Sequence, residues 1–145
     1  MNATYSSVHL IKKLKQLKPF ILLAILLFPF TIIHAQNMYD GSGHQLGRVD
    51  GKYYYNGFGK RIGRVDGNYI YDGSGHQIGR IEGEYLYDGS GKQMGRITDE
   101  YLYDGSGKQI GRINGDNIYD GSGKQIGRAD GLRRMQKIIF FYFFM

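Results

Sequence analysis

Apolar and polar residues alternate along most of this chain in short runs, and each run is bounded by a glycine-rich polar segment. Alternation with a period of two predicts β-strands that bury one face. The pattern repeats every sixteen residues, as in YDGSGHQIGRIEGEYL from Tyr71 to Leu86. The leading tyrosine recurs at Tyr39, Tyr55, Tyr71, Tyr87, Tyr103 and Tyr119. A period this regular predicts a repeat architecture.

Each unit contains two turn signals. The first is Asp-Gly-Ser-Gly, as at Asp72 to Gly75, where glycine supplies the positive φ of a short hairpin loop. The second is Asp-Gly or a close variant, as at Asp66-Gly67, and it suits a two-residue turn of type I′. The unit is therefore predicted to be a β-hairpin with strands of about four to six residues.

Centring the second turn on Asp66-Gly67 predicts how the hairpin pairs, because the flanking residues must pair outward from it. The predicted cross-strand partners are Val65 and Asn68, Arg64 and Tyr69, Gly63 and Ile70, and Ile62 and Tyr71. One face would carry Ile62 with the arginines and tyrosines, and the other would carry the glycines with Val65 and Ile70. Glycine at such a position lets a neighbouring side chain come close.

A lone hairpin is unstable in water, so the hairpins are predicted to pair sideways with one another. Pairing of the last hairpin with the first would remove the exposed strand edges. The sequence thus predicts an all-β fold, a closed and shallow antiparallel barrel of five to six hairpins over residues 36–132. An open solenoid is the alternative.

Residues 1–35 have a different character. Polar and basic residues precede an apolar stretch from Phe20 to Ile33, and the small residue Ala35 follows. This order is typical of a helical secretory signal peptide, cleaved here after Ala35 to release a secreted or periplasmic protein. A retained membrane anchor is the alternative, but fourteen residues are short against the roughly 20 that a bilayer needs.

The net charge of +6 depends strongly on that first segment. Four lysines and no acids lie in it, so residues 36–145 carry 15 basic against 13 acidic side chains, a net charge of +2. No concentrated basic face results, and no nucleic-acid partner is predicted. The absence of cysteine excludes disulfides, thiolate chemistry and cysteine-based zinc sites.

The tail, residues 133–145, breaks the repeat and ends in an apolar run from Ile138 to Met145. A continuous apolar run rich in β-formers predicts a strand buried on both faces. The tail would then be a closing strand or plug that supplies the core missing from the glycine-rich hairpins. The alternative is a partner-docking or membrane-contacting segment, in which case the tail alone would contact the membrane.

The repeated motif Y-D-G-S-G-x-Q-x-G-R-x-x-G, placed after a signal-like segment, resembles the β-flower repeat family over Met38 to Leu132. This resemblance implies hairpin petals around a shallow symmetric barrel, often five-fold, and it implies no biochemical activity. Two units depart from the motif. Asn56-Gly57-Phe58-Gly59 replaces Asp-Gly-Ser-Gly, and Thr98-Asp99 replaces the Asp-Gly turn.

Catalytic and metal chemistry find little support in the sequence. Each Asp-Gly-Ser-Gly loop has one carboxylate, whereas Ca²⁺ takes six to eight oxygen ligands. His44 and His76 occupy a loop position that other units give to lysine, and the loop serines lack a histidine and carboxylate arranged to activate them. The sequence therefore predicts no catalytic residue, no metal and no cofactor, and the chain is not expected to be an enzyme.

Arginine and tyrosine are the best candidates for ligand contacts, because arginine binds anions and tyrosine rings can stack on sugars. The candidate residues are Tyr55, Tyr71, Tyr87, Tyr103, Arg64, Arg80, Arg96 and Arg112. In the competing interpretation, each arginine stacks on its own hairpin's tyrosine and pairs with a nearby acid, and the tyrosines pack the ring. Buried tyrosine rings would favour a structural role, and exposed rings would favour glycan binding.

These features predict a secreted or periplasmic, non-enzymatic repeat protein that acts as a structural or interaction module of a bacterial envelope. The alternative is a carbohydrate- or lipid-binding protein that uses the Tyr/Arg face or the apolar barrel centre. Under these two hypotheses the partner would be a glycan, a lipid or an envelope protein.

Overall fold

A computed structural model describes residues 36–145 of the chain. These residues form twelve strands: β1 Gln36–Asp40, β2 Gln45–Asp50, β3 Tyr53–Asn56, β4 Arg61–Asp66, β5 Tyr69–Asp72, β6 Gln77–Glu82, β7 Tyr85–Asp88, β8 Gln93–Thr98, β9 Tyr101–Asp104, β10 Gln109–Asn114, β11 Asn117–Asp120 and β12 Gln125–Asp130. Each strand pairs antiparallel with its neighbours in sequence, and β1 pairs with β12. The predicted closed antiparallel barrel is confirmed, whereas the predicted signal peptide, residues 1–35, lies outside the described residues.

Residues 36–145 contain six hairpins, which decides between the five and six repeats that the sequence allowed. β1 is the first strand of a complete hairpin with β2, and β12 closes the ring through pairs such as Met38 with Ala129. The six Asp-Gly-Ser-Gly-type loops lie at one end of the barrel, called here the loop end. The two-residue turns lie at the opposite end, called here the turn end.

The predicted hairpin register is wrong by two residues. Arg64 pairs with Tyr71, and Asp66 pairs with Tyr69, so the two turn residues are Gly67 and Asn68. Gly67 has a φ of 58°, and Asn68 does not have a positive φ. This combination is typical of a type II′ turn, in which glycine takes the first central position. Asp66 therefore ends the strand instead of entering the turn.

The predicted division of the two faces is nevertheless confirmed for the paired residues, because a shift of two residues leaves their side chains on the same face. Ile62, predicted on the arginine and tyrosine face, instead packs against the core. The paired arginines and the tyrosines opposite them face outward, and the glycines face inward with the branched apolar residues. Tyr54, at the position that the next repeat gives to Ile70, also faces inward and is buried. Ile70, however, pairs with Val65 across the two-residue turn and with Gly79 across the following loop, not with Gly63. The same holds for Leu86 with Gly95.

Every strand that follows a loop contains a β-bulge. Tyr71 pairs with Gln77 and Ile70 with Gly79, which leaves Ile78 as the extra residue. The bulged residues are Leu46, Ile62, Ile78, Met94, Ile110 and Ile126. Because a bulge bends and twists its strand, six of them in register give the curvature that closes such a short barrel. The predicted pairing of Ile62 with Tyr71 is therefore wrong.

The tail is helical, so the predicted closing strand is wrong. An α-helix, α1, spans Arg134–Ile139, and a π-helix spans Phe140–Phe144. The Gln136 side chain accepts a hydrogen bond from the Arg133 N–H, which caps the start of α1. Barrel closure by β1 and β12 leaves no strand edge for the tail, so its apolar residues are buried by packing against the inner faces.

The tail fills the barrel, as the plug interpretation predicted. Ile138, Ile139 and Phe140 are buried together with the inward side chains of the strands, which include Met38 and Leu86. Lys137 is buried at the turn end, where its Nζ lies 2.8 Å from Asp116 Oδ1 and donates to the Gly115 carbonyl. These two contacts of Lys137 hold α1 at the turn end of the barrel.

Five consecutive aromatic residues of the π-helix lie over five inward glycines. The pairs are Phe140 with Gly47, Phe141 with Gly111, Tyr142 with Gly95, Phe143 with Gly79, and Phe144 with Gly63. An α-helix advances by about 100° per residue. The wider π-helix, closed here by the 3.0 Å bond from Met145 N–H to Phe140 O, spreads five side chains around roughly one turn. Each ring thus reaches a different repeat.

Asp99 is the one described non-glycine residue with a positive φ, 48°, because it occupies the turn position that other repeats give to glycine. Left-handed backbone costs an ordinary residue about 1–2 kcal/mol. Asp99→Gly should therefore raise the free energy of unfolding by about 1 kcal/mol in urea titrations. Gly83→Asp, which copies the departure into a regular turn, should lower it by a similar amount. Equal stability of the two variants would contradict this account.

Candidate functional site

The outer wall of the barrel is built from repeated rows of arginine and tyrosine. Arg80 on β6 pairs with Tyr69 on β5 and with Tyr87 on β7, so a tyrosine lies opposite it on each neighbouring strand. The corresponding rows are Tyr53–Arg64–Tyr71, Tyr69–Arg80–Tyr87, Tyr85–Arg96–Tyr103 and Tyr101–Arg112–Tyr119. In the two remaining rows asparagine replaces the first tyrosine, giving Asn37–Arg48–Tyr55 and Asn117–Arg128–Tyr39.

The candidate ligand-binding residues predicted from the sequence all lie on this wall. Each candidate tyrosine (Tyr55, Tyr71, Tyr87 and Tyr103) is half-buried beneath an arginine. The distances from guanidinium carbon to ring centroid are 4.1 Å for Arg48 over Tyr55, 4.1 Å for Arg64 over Tyr71, 4.5 Å for Arg80 over Tyr87, 5.2 Å for Arg96 over Tyr103 and 4.7 Å for Arg112 over Tyr119. These distances allow cation–π attraction.

The tyrosines most open to solvent are a different set. Tyr69, Tyr85 and Tyr101 are 47%, 41% and 39% exposed and occupy the first position of consecutive rows. They were missed because the predicted register placed them opposite arginine within their own hairpin. Their position could have indicated this exposure, because each is the first residue of its strand, directly after the two-residue turn at the end of the barrel.

Ion pairs distinguish the arginines from one another. Arg48, Arg80 and Arg128 each contact an acid two residues later, at 3.5 Å to Asp50, 2.6 Å to Glu82 and 2.9 Å to Asp130. The hydrogen bond with Glu82 raises the pKa of Arg80. Arg96 and Arg112 are followed by Thr98 and Asn114 at the same position. Within residues 36–145 neither of them forms an ion pair, and neither does Arg64, whose acid two residues later, Asp66, lies 4.0 Å from Lys52 Nζ.

The loop carboxylates bind their own backbone. Asp72 Oδ1 accepts hydrogen bonds from the Ser74 hydroxyl at 2.6 Å and from the N–H groups of Ser74, Gly75 and His76. The Ser74 bond, followed by these backbone bonds, lowers the pKa of Asp72 to about 2. The corresponding carboxyls of Asp40, Asp88, Asp104 and Asp120 also have lowered pKa values. Among residues 36–145 no group of three His, Asp or Glu side chains is arranged to hold a metal ion.

Acid should weaken the fold through these loops. A carboxyl whose pKa is lower in the folded than in the unfolded chain, where it is about 3.9, stabilises the fold above that pH. The contribution is lost as the pH falls from about 4 towards 2. Urea midpoints should therefore decline across this interval, and Asp72→Asn should reduce the slope. A slope identical in Asp72→Asn and the unmodified protein would refute this origin.

Serine, histidine and aspartate lie together in one loop, with the serine hydroxyl bonded to the aspartate. Ser74 Oγ lies 2.8 Å from His76 Nδ1 and 2.6 Å from Asp72 Oδ1. The same 2.6 Å serine–aspartate bond occurs in three loops where lysine stands in place of histidine, between Ser90 and Asp88, Ser106 and Asp104, and Ser122 and Asp120. The bond is therefore a feature of the turn that does not depend on histidine.

A shallow groove of about 570 Å³ opens at the loop end of β8, between two neighbouring loops. Its lining includes Asp88, Lys92, Gln93, Met94 and Asp104. Gln93 pairs with Tyr87, so its side chain lies on the same outer face as the tyrosine and arginine rows. The groove therefore continues the wall towards the loop end.

The barrel centre, predicted as an alternative lipid site, is occupied by the chain's own tail. Phe140 is buried against Tyr54, and the Tyr142 hydroxyl donates to the Tyr103 carbonyl at 2.6 Å. Within residues 36–145 no helix is long and apolar enough to cross a membrane. The surfaces that remain for partners are the outer wall and the two ends.

Comparison with known proteins agrees with this architecture. The sequence profile of a family described as "5-fold beta-flower protein" matches residues 35–145, which is most of the chain. The chain belongs to the 5-fold β-flower family. This match confirms the resemblance that the repeated motif indicated. No curated protein and no solved structure matches the chain.

This β-flower chain differs from the five-fold description in having six hairpins in the described residues. Five of its six inward glycines receive an aromatic ring of the plug. At the sixth, Gly127, the three nearest atoms to an added Cβ belong to the backbone of Tyr39 and Asp40. The family match extends through residue 145 and thus includes the plug.

Proposed function

We propose that this β-flower protein is exported from the cytoplasm and works as a non-enzymatic interaction module of a bacterial envelope, with the outer wall as its binding surface. One observation supports this most directly. The barrel interior is filled by the tail, and the tyrosine and arginine rows, which face outward, recur around the wall where a partner can reach them. Similar rows at regular intervals favour binding of a repetitive partner at several points.

Carbohydrate is the partner class that the exposed tyrosines favour. Tyr69, Tyr85 and Tyr101 are open to solvent at equivalent positions of three consecutive rows. Aromatic rings with an apolar face and a polar edge are suited to surfaces that are partly apolar and partly wet, as sugar rings are. The half-buried tyrosines beneath the arginines hold the rows together and position the exposed ones.

Export is tested by expressing the full-length chain in a bacterium, fractionating the cells and determining the mass of the product. We expect a soluble periplasmic or extracellular protein that begins at Gln36, because the residues before it are arranged as a signal peptide. A full-length product that stays in the cytoplasm would contradict the proposal.

Binding by the wall is tested with purified peptidoglycan and lipopolysaccharide. Replacing Tyr85 and Tyr101 together by alanine should weaken binding by about tenfold, since stacking on exposed rings is lost. Phe58→Ala is the matched control, because Phe58 is 98% exposed but lies in a loop away from the wall. Binding that responds to Phe58→Ala and not to the tyrosine variant would place the contact elsewhere and overturn the proposal.

A further inference from the structure

The charge of the outer wall is uneven around the barrel. Carboxylates pair with Arg48, Arg80 and Arg128, and Arg64 has Asp66 two residues later, although that carboxylate lies 4.0 Å from Lys52 Nζ. Arg96 and Arg112 have no acid at that position and form no ion pair within residues 36–145. We propose that the wall sector around these two arginines, centred on β9, binds an acidic carbohydrate. The inference rests on the proposed function, since it assigns a ligand class to part of the same wall.

The two arginines flank β9 on its two sides. Arg96 lies opposite Tyr103, and Arg112 lies opposite Tyr101. Arg96 also lies opposite Tyr85 on β7, and Arg112 lies opposite Tyr119 on β11, so four tyrosines surround the pair. The β9 sector is defined as Tyr85, Arg96, Tyr101, Tyr103 and Arg112.

The chemistry of the β9 sector combines two contacts. Tyr85 and Tyr101, 41% and 39% exposed, offer ring surface to a sugar. A guanidinium with no carboxylate partner can form a bidentate, charge-assisted hydrogen-bond pair with an incoming carboxylate or sulfate. In the row of Arg80 the Glu82 carboxylate, 2.6 Å from Nε, already occupies part of that fork. An external anion would have to displace it.

The spacing indicates an oligosaccharide. Arg96 and Arg112 are separated by one strand, and neighbouring strands lie about 4.8 Å apart, so the two backbones are roughly 10 Å apart. The groove at the loop end of β8 lies beside Gln93, which shares the outer face with Arg96. Its polar lining offers donors and acceptors to sugar hydroxyls. The site thus extends along β8 beyond a single sugar ring.

The acids nearest in sequence do not cancel these charges. Asp99 and Glu100 form the turn that follows Thr98, and neither pairs with Arg96. Thr98 and Asn114 themselves are uncharged at the position where other repeats carry Asp50, Glu82 or Asp130. These two substitutions in the repeat therefore leave the guanidinium groups free to bind an external anion.

The test uses polygalacturonate and its fully methyl-esterified form, which share a backbone and differ in charge. Calorimetry should show that the acidic polymer binds at least about tenfold more tightly, with an affinity that falls as salt is added. Arg96→Gln with Arg112→Gln should remove this preference. The matched control is Arg80→Gln with Arg128→Gln, which alters two arginines already paired with acids and should retain it.

A second variant keeps both arginines. Thr98→Glu with Asn114→Glu installs the acid that neighbouring repeats carry, and it should reduce binding of polygalacturonate by about tenfold without lowering the melting temperature. If the two polymers bind equally well and the Tyr85 and Tyr101 alanine variant binds neither, the preference for an acidic carbohydrate is overturned. The wall would then still be the binding surface. Absence of binding to both polymers would overturn this inference, and the peptidoglycan and lipopolysaccharide assay then decides the proposed function separately.

Discussion

Phe140→Ala should lower the free energy of unfolding by about 3–5 kcal/mol, the range measured when large buried aromatic residues are truncated. Phe140 is 2% exposed, and its ring lies between Gly47, Tyr54 and Phe144. Its loss would leave a cavity at the centre of a barrel whose strands contribute small residues there. Urea unfolding of the otherwise unmodified chain measures the effect.

Phe58→Ala provides the control for that experiment, since it removes the same side chain from a site that is 98% exposed. We expect its unfolding free energy to lie within about 0.5 kcal/mol of the unmodified protein. Similar losses in Phe140→Ala and Phe58→Ala would mean that the tail does not form the core. The plug would then have to be assigned to another segment.

Gly79→Ala is the second substitution with a large expected effect. An added Cβ would lie 2.6 Å from the Tyr87 carbonyl oxygen and within overlap distance of the Phe143 ring. Overpacking of this kind costs about 1–3 kcal/mol, and more where backbone must move. We expect a loss at the upper end of that range, measured as a lowered urea midpoint.

Gly111→Ala is the matched comparison, because Gly111 occupies the equivalent position two repeats later. There the added Cβ would lie 2.9 Å from the Tyr119 carbonyl oxygen and at an ordinary contact distance of 3.5 Å from Phe141. Its loss of stability should be clearly smaller than that of Gly79→Ala. Equal losses would mean that the backbone contact alone, and not the aromatic ring, requires glycine.

The barrel was predicted well because the sixteen-residue repeat and the alternation of side chains between the two faces determine most of it. A sixteen-residue repeat fixes the number and length of strands, and alternation fixes which face is apolar. The arginine and tyrosine face and the glycine face were therefore assigned correctly despite the wrong register. The register itself depends on whether Asp66 or Gly67 opens the turn, and both Asp-Gly turn types have the same sequence signal.

The tail could not be predicted from its own composition. The run from Ile138 to Met145 is apolar at every position and carries neither a helical nor a strand period. Short apolar runs are ambiguous in this way, and tertiary packing decides between the two. Here the barrel closes on itself and offers a ring of glycines, so the wide π-helix allows each aromatic residue to reach its own repeat.

The candidate site was predicted in part. The arginines and the tyrosines beneath them lie together on the outer wall, as the sequence indicated. The difference between paired and unpaired arginines depends on single residues, such as Glu82 in one repeat and Thr98 in the next. The sequence alone did not show which arginines form ion pairs, because this depends on residues two apart on one strand sharing a face and lying close enough to interact.

The central claim, that five aromatic residues of the tail fill the barrel and contact one glycine each, is tested most directly by NMR. Nuclear Overhauser effects should connect the α-protons of the five inward glycines to the five rings in the pairs Gly47 with Phe140, Gly63 with Phe144, Gly79 with Phe143, Gly95 with Tyr142, and Gly111 with Phe141. These α-protons should also show ring-current shifts. Glycine α-protons at ordinary shifts, with no contact to any of the rings, would contradict the account.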